Sequence, residues 1–169
     1  MKKTMTPFLK FIPIASVAVF LLGPSLKAQS IDLDFPLQTS EGRQTSLAKV
    51  MGEKEALLLD FWASWCGPCI RLMPALKAKH DKLPGLGIAV AAINTEGKPD
   101  IAETVRNALK IPSSDWLMEP PGAPFSGPLG IDSIPRMILI DRSGRVLFNG
   151  HPNEPALKEA LRRINPSIS

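Results

Sequence analysis

The sequence is poor in cysteine and, beyond its first 28 residues, has no excess of charge of either sign. Two of its 169 residues are cysteines, which excludes the disulfide framework of many small secreted domains. It carries 20 basic and 16 acidic residues. Lys2, Lys3, Lys10 and Lys27 account for the whole excess, because no acidic residue precedes residue 29. The balance of charge after residue 28 gives no support to a nucleic-acid partner.

The apolar run near the N-terminus is short for a transmembrane span. Residues 11–26 are uncharged, a length of 16 residues, whereas a membrane-spanning helix needs about 20. Lysines precede this run and small residues follow it, which is the order typical of a cleaved signal peptide. We therefore predict a signal peptide over residues 1–30, with a mature protein that starts at Gln29 or Ile31 in the periplasm or its equivalent. An uncleaved membrane anchor is the alternative.

The remaining segment, 31–169, is long enough to form one domain whose core needs no disulfides. Phe35, Leu37 and Thr39 alternate ahead of a turn and predict a short N-terminal hairpin. Apolar patterns then alternate between strands and helices, which indicates an α/β fold. Strands are predicted at 56–63, 87–93, 137–140 and 146–148, and helices at 70–83, 101–109 and 155–164.

The two cysteines, Cys66 and Cys69, are separated by Gly67 and Pro68, and three interpretations compete. A structural disulfide across so small a loop stabilises little, because it removes little entropy from the unfolded chain. A zinc site needs about four ligands, and only the two histidines could supplement the pair. A redox dithiol needs two thiols that can close and reopen a bond, and the sequence context favours this interpretation.

That context is the junction between a predicted strand and a predicted helix. Cys66 falls at the helix N-terminus, where free backbone N–H groups and the helix dipole stabilise a thiolate. A lowered thiol pKa provides nucleophilic thiolate near neutral pH. Pro68 suits the first turn of a helix because it has no backbone donor.

The histidines carry the alternative function, a copper-binding or metallochaperone module. His80 lies 14 residues after Cys66, about 21 Å along a continuous helix, so the two cannot share a metal ion. His151 is distant in sequence and could fold back towards the cysteines. Copper binding that is lost in His151→Ala would favour this alternative.

The residues at 60–69, DFWASWCGPC, together with Pro74, resemble the active-site strand and helix of thioredoxin. The stretch 130–135, GIDSIP, resembles the loop that carries the cis-proline of that fold. With the signal segment, the hairpin and a lengthened middle, the chain is similar to the exported thioredoxin-like family of the TlpA/ResA type. This resemblance implies a thioredoxin-like fold with a central mixed sheet flanked by helices, an N-terminal β-hairpin extension and a central insert.

The resemblance also implies roles for individual residues. Cys66, as the more exposed thiol, would attack a substrate disulfide, and Cys69, more buried, would resolve the mixed disulfide. Asp60 would assist proton transfer at the resolving thiol, although thioredoxin's lysine on the neighbouring strand is here Ala92. Pro135 would be cis. The expected substrate-binding residues are Trp65, Gly67, Pro68, Ile134, Pro135 and Arg136.

The resemblance further implies the reaction and its partners. We expect an enzyme that reduces disulfides of exported proteins, for example in cytochrome c maturation, and that a membrane thiol electron donor keeps reduced. No cofactor beyond the Cys66–Cys69 disulfide and no metal are expected, and a membrane contact only if the N-terminal segment is uncleaved. The segment Pro120–Pro128 is rich in proline and glycine and is predicted to be a connector or a lip of the partner-binding surface.

Overall fold

Seven strands form one mixed sheet in the part of the chain that the computed structural model describes, which is residues 30–120, 127 and 129–168. The strands are β1 (Leu37–Thr39), β2 (Gln44–Thr45), β3 (Ala56–Trp62), β4 (Ile88–Asn94), β5 (Trp116–Met118), β6 (Arg136–Asp141) and β7 (Val146–Gly150). The helices are α1 (Leu47–Met51), α2 (Gly67–Lys82), α3 (Pro99–Leu109) and α4 (Pro155–Ile164). Residues 1–29 of the predicted signal peptide, and 121–126 and 128 of the proline-rich segment, lie outside the described residues.

The sheet has the order β2-β1-β5-β4-β3-β6-β7, and β3 lies near its middle. β3 runs parallel to β4 and antiparallel to β6. In the parallel pair Trp62 is in register with Asn94, so both strands end at the same edge of the sheet. The loops that follow these two strands therefore meet, and one of them leads to the cysteines.

β3 is buried along its whole length, as its apolar run predicts. Its side chains alternate between two cores. Leu57, Leu59 and Phe61 belong to the core that contains α1 residues, and we call this the α1 face of β3. Leu58 and Trp62 belong to the core that contains Cys66, Cys69 and residues of α2. We call this the α2 face of β3, and the alternation places Asp60 on it.

The helix α2 starts directly after the first cysteine. Cys66 is its N-cap residue, and Pro68 lies in the first turn, where a residue without a donor is tolerated. The buried side of α2 is formed by Cys69, Met73 and Leu76. The helix ends in a 3₁₀ turn over Leu83–Leu86, since Pro84 cannot continue the α-helical hydrogen bonds.

The predicted strands and helices are confirmed, and among the short elements that the sequence analysis missed are the strand β5 and the helix α1. β5 pairs with both β4 and β1, so the N-terminal hairpin extends the main sheet. The five-residue helix α1 follows the hairpin, and the side chain of Ser46 caps it by accepting a hydrogen bond from the Lys49 backbone. Among the described residues, no helix has the length and apolarity needed to cross a membrane.

Candidate active site

The two cysteines form a disulfide at the start of α2. The sulfur atoms are 2.05 Å apart and the Cα atoms 5.2 Å apart. The Cys66 sulfur lies at the helix N-terminus and accepts a hydrogen bond from the backbone N–H of Cys69 at 3.2 Å. The predicted position of Cys66 is therefore confirmed, and the same donor would stabilise a Cys66 thiolate after reduction.

The two cysteines differ little in exposure in the oxidised protein. Cys66 is 4% exposed and Cys69 is 2% exposed. The order agrees with the prediction, but the difference is small. What distinguishes the two thiols is their position, since only Cys66 occupies the N-cap of α2.

The peptide bond between Ile134 and Pro135 is cis, as predicted. The Cys66 sulfur lies 3.7 Å from the carbonyl oxygen of Ile134. The sulfur of a disulfide has no hydrogen to donate, so this is a close approach in the oxidised state. In the reduced state, a Cys66 S–H group could donate to this carbonyl. The cis-proline loop and the head of α2 thus form one site.

The surface around the disulfide is formed by residues at the start of α2 and in the turn before it. Trp65 is 70% exposed, and Gly67 and Pro68 are also exposed. Ile70, which the sequence analysis did not single out, is 39% exposed and adds an apolar side chain in the first turns of α2. Trp62 is instead fully buried and packs against Trp116, with ring centroids 5.1 Å apart and ring planes tilted by 47°.

Asp60 is buried in the core beneath α2, with 6% exposure. Its register partners are Ala92 on β4 and Met137 on β6, and neither can neutralise a carboxylate. Burial raises the pKa of the Asp60 carboxyl from 3.8 to about 7, while the charge of Lys79 opposes this rise. A carboxyl with such a pKa can exchange a proton near neutral pH.

Lys79 is the cation that the sequence analysis missed. The position beside Asp60 on β4 is indeed Ala92, but Lys79 interacts electrostatically with Asp60 from α2 instead. Burial lowers the pKa of the Lys79 ammonium, and Asp60 opposes that fall. Lys79 is three residues after the buried Leu76 on the same helix, and this spacing could have identified it.

Arg136 begins β6 directly after the cis-proline. Its Nε donates a hydrogen bond to the side-chain oxygen of Asn149 on β7 at 2.7 Å. Asn149 in turn donates to the carbonyl oxygen of Leu129 at 3.1 Å. Arg136 is therefore partly buried and anchored beside the cis-proline loop, rather than a freely solvated charge.

The histidines lie in separate local contacts. Nε2 of His80 is 2.7 Å from a carboxylate oxygen of Asp115. Nδ1 of His151 accepts a hydrogen bond from the backbone N–H of Asn153 at 3.2 Å. Within the described ranges, no group of three or more histidine, cysteine, aspartate or glutamate side chains is placed to hold a metal ion.

The family to which the chain is matched is consistent with a redox site at the two cysteines. The model of the AhpC/TSA family matches residues 29–147. The chain belongs to the AhpC/TSA family. Membership confirms the predicted thioredoxin-like fold, because the matched range includes β3, the cysteine pair and the cis-proline loop.

Individual relatives resemble this AhpC/TSA chain in sequence or in structure. The thiol-disulfide oxidoreductase ResA of Bacillus thuringiensis is 28% identical over 140 residues, covering 79% of this chain and 76% of ResA. A candidate thiol-disulfide oxidoreductase from Bacteroides vulgatus superposes with a TM-score of 0.65 at 26% identity, covering 83% of this chain and 92% of that one. A candidate thiol:disulfide interchange protein DsbE from Chlorobium tepidum gives 0.58 at 30% identity, covering 81% and 91%.

Family, fold and redox pair together define the class of enzyme. The chain has the disulfide of a CxxC motif at a helix N-terminus, a cis-proline beside it and relatives of the same kind. This member of the AhpC/TSA family is a thiol–disulfide oxidoreductase.

Proposed function

We propose that this enzyme works as a reductase on disulfides of exported proteins, through dithiol exchange at Cys66 and Cys69. The observation that carries the proposal is the Cys66 sulfur at the N-cap of α2, where Cys69 N–H bonds to it. The backbone groups there favour a thiolate on Cys66 and not on Cys69. Cys66 is therefore assigned as the attacking thiol.

In the first step, the Cys66 thiolate attacks one sulfur of the substrate disulfide. A mixed disulfide forms between Cys66 and the substrate, and the other substrate sulfur leaves as a thiolate that takes up a proton. In the second step, Cys69 attacks the Cys66 sulfur. The Cys66–Cys69 disulfide forms and the remaining substrate sulfur leaves as a thiolate that takes up a proton, so that two electrons have passed from the enzyme to the substrate.

Asp60 is assigned to the second step. Cys69 must lose its proton before it attacks, and it is buried in the core on the α2 face of β3. The Asp60 side chain lies on that face, and its raised pKa, about 7, lets the ionised carboxylate accept a proton at neutral pH.

The substrate segment is assigned to the surface between α2 and the cis-proline loop. The exposed Trp65 offers apolar contact area, and the partly buried Ile134 brings its backbone beside the sulfur of Cys66. An extended peptide could pair with that backbone. Arg136 would place a cation at the rim of this surface and favour acidic residues near the substrate disulfide.

The direction of the reaction follows from what surrounds the cysteines. Strong oxidants of this kind stabilise their reduced form by lowering the pKa of the attacking thiol to about 3.5. Here Gly67 and Pro68 stand between the cysteines, so no histidine in the motif stabilises the thiolate. An ionised Asp60 nearby would raise the thiol pKa. Both features favour a reducing dithiol.

The proposed setting is outside the cytoplasm. The predicted signal peptide and the similarity to ResA of Bacillus thuringiensis support export, with a membrane thiol donor to keep the dithiol reduced. We propose disulfide-bonded apocytochromes as the substrate class that fits this setting. Mass spectrometry of the mature protein tests export, since a chain that starts at Gln29 or Ile31 is expected.

Equilibration with glutathione, followed by counting free thiols, tests the direction of the reaction. We expect a potential closer to that of thioredoxin, about −270 mV, than to that of DsbA, about −120 mV. Insulin-disulfide reduction by the wild type and its loss in Cys66→Ser are the companion assay. A potential near −120 mV would make the enzyme an oxidase and defeat the proposed direction.

A further inference from the structure

Glu96 forms a direct link between the loop after β4 and the turn that carries Cys66. It lies two residues beyond the end of β4, at the sheet edge where β3 also ends. The backbone N–H of Ser64 donates to Glu96 Oε1 at 3.2 Å, and the Ser64 hydroxyl donates to Oε2 at 3.0 Å. Both carboxylate oxygens thus bind a single residue of the catalytic turn.

Glu96 is itself held in place by buried groups. The Asn94 side chain, which is fully buried, accepts a hydrogen bond from the Glu96 backbone at 3.2 Å and donates one to Oε1 at 3.5 Å. The backbone N–H of Thr95 donates to the carbonyl oxygen of Trp62 at 3.0 Å. Hydrogen bonds at the paired ends of β3 and β4 therefore hold the Glu96 carboxylate where it contacts Ser64.

The turn that Glu96 holds sets the position of Cys66. Ser64 precedes Cys66 by two residues, a span of at most about 7 Å. The turn closes with a hydrogen bond from the Cys66 backbone to the carbonyl oxygen of Ala63 at 3.1 Å. Movement of Ser64 would therefore move the Cys66 sulfur relative to Cys69 and to the Ile134 carbonyl.

We infer that Glu96 is a positioning residue, which through its two hydrogen bonds to Ser64 preorganises Cys66 for bond formation with Cys69. Preorganisation raises the effective concentration of one thiol at the other. The inference rests on the assignment of Cys66 and Cys69 as the redox pair. It assigns Glu96 no direct contact with substrate.

The reduction potential tests this inference, because it measures how readily the two thiols close their bond. In the assay the Cys66 and Cys69 thiols give two electrons and two protons to oxidised glutathione, which becomes two glutathione thiols. Glu96→Ala removes both hydrogen bonds. We expect the equilibrium constant for forming the Cys66–Cys69 disulfide to fall about tenfold, a rise in potential of about 30 mV.

Three further variants separate positioning from the loss of a charge. Glu96→Gln keeps an acceptor for the Ser64 N–H and can donate to the Ser64 oxygen, so it should stay within about threefold of the wild type, or about 15 mV. Ser64→Ala combined with Glu96→Ala should be no worse than Glu96→Ala alone, since the two residues share one contact. Asp100→Asn, an exposed carboxylate in the first turn of α3, should leave the potential unchanged.

Two results would overturn the inference. If Glu96→Ala lowers the melting temperature and leaves the potential at the wild-type value, Glu96 has a structural role only. If Glu96→Gln shifts the potential as far as Glu96→Ala, its charge is what matters, and not its hydrogen bonds. Neither result would affect the assignment of Cys66, which the loss of activity in Cys66→Ser tests separately.

Discussion

The two faces of β3 have the same backbone and nearly the same burial, but different chemistry. On the α1 face, Leu57, Leu59 and Phe61 pack into a core without exposed surface. On the α2 face, Leu58 and Trp62 flank a buried carboxyl, Asp60. Only the second core contains the cysteines.

This difference shows that the fold places its destabilising buried carboxyl, Asp60, on the face that also holds the cysteines. A buried carboxyl with no opposite charge on its neighbouring strands destabilises the folded state when it is ionised. Asp60 lies on the face beneath α2, whose first residue follows Cys66, and Lys79 comes from the same helix. The α1 face, which faces away from the cysteines, has the purely apolar content expected of a stabilising core.

The largest effect that we predict is the loss of activity on changing a cysteine of the α2-face core. Cys66→Ser should abolish insulin reduction, because the remaining thiol, Cys69, is buried and does not occupy the N-cap of α2 that favours a thiolate. Cys69→Ser should keep the attack and trap a mixed disulfide, which peptide mapping should locate at Cys66. If limiting alkylation of the reduced wild type labels Cys69 before Cys66, the assigned roles are reversed.

The next effect concerns stability and pH. Because burial raises the pKa of Asp60 from 3.8 to about 7, the folded protein holds this proton where the unfolded chain has lost it. The contribution of Asp60 to the free energy of unfolding should therefore fall as the pH rises from about 4 to about 7, by about 4 kcal/mol. Asp60→Asn should remove this dependence.

The control for this pH dependence is Asp132→Asn, a change at an exposed carboxyl in the loop before the cis-proline. Urea unfolding at several pH values makes the comparison. If the free energy of unfolding depends on pH in the same way in Asp60→Asn and in the wild type between pH 4 and pH 8, the prediction is wrong.

A matched pair of leucines sharpens the comparison of the faces. Leu58 and Leu59 are both fully buried, so each change to alanine should cost about 2 to 5 kcal/mol of stability. Only Leu58→Ala opens space on the face of Asp60. Hydration there should lower the pKa of the Asp60 carboxyl, which NMR titration of the folded variants would detect. An equal effect of Leu59→Ala would show that the faces are not electrostatically separate.

The smallest effect should come from Lys79→Met. Loss of the Lys79 charge removes a contribution that lowers the pKa of Asp60, so the carboxyl should titrate at a higher pH. Lys79 is half-buried and solvent screens its charge, which keeps the effect small. Lys82→Met, a change on the same helix, is the control. A downward movement of the Asp60 titration in Lys79→Met would contradict the assigned pairing.

The sequence predicted the long elements and the cysteine pair because these have strong local signals. The apolar run at 56–63 is long enough to predict a strand by itself, and the apolar spacing in α2 continues over several helical turns. β5 has only three residues, Trp116–Met118, and α1 has five. Elements this short depend on tertiary pairing, so β5 could not be distinguished from a loop before its partners β1 and β4 were placed.

Two of the residues that were missed, Glu96 and Lys79, depend on contacts between distant segments. Glu96 lies 32 residues after Ser64, and Lys79 reaches Asp60 from a different element. A weak signal existed for Glu96, since it follows the second of two parallel strands, whose carboxyl ends lie at one edge. The choice of Ser64 as its partner depends on side-chain geometry that no spacing rule contains.

One measurement tests most directly whether the α2 face of β3 carries the proton chemistry. The side-chain carboxyl ¹³C shift of Asp60 can be followed by NMR from pH 3 to pH 9 in the oxidised protein, with Asp60→Asn to assign the signal. Burial of Asp60 predicts a midpoint near pH 7, because its pKa is raised to about 7. A midpoint near 4, the range of an ordinary aspartate, would show that Asp60 is hydrated and would contradict its assignment as the proton acceptor.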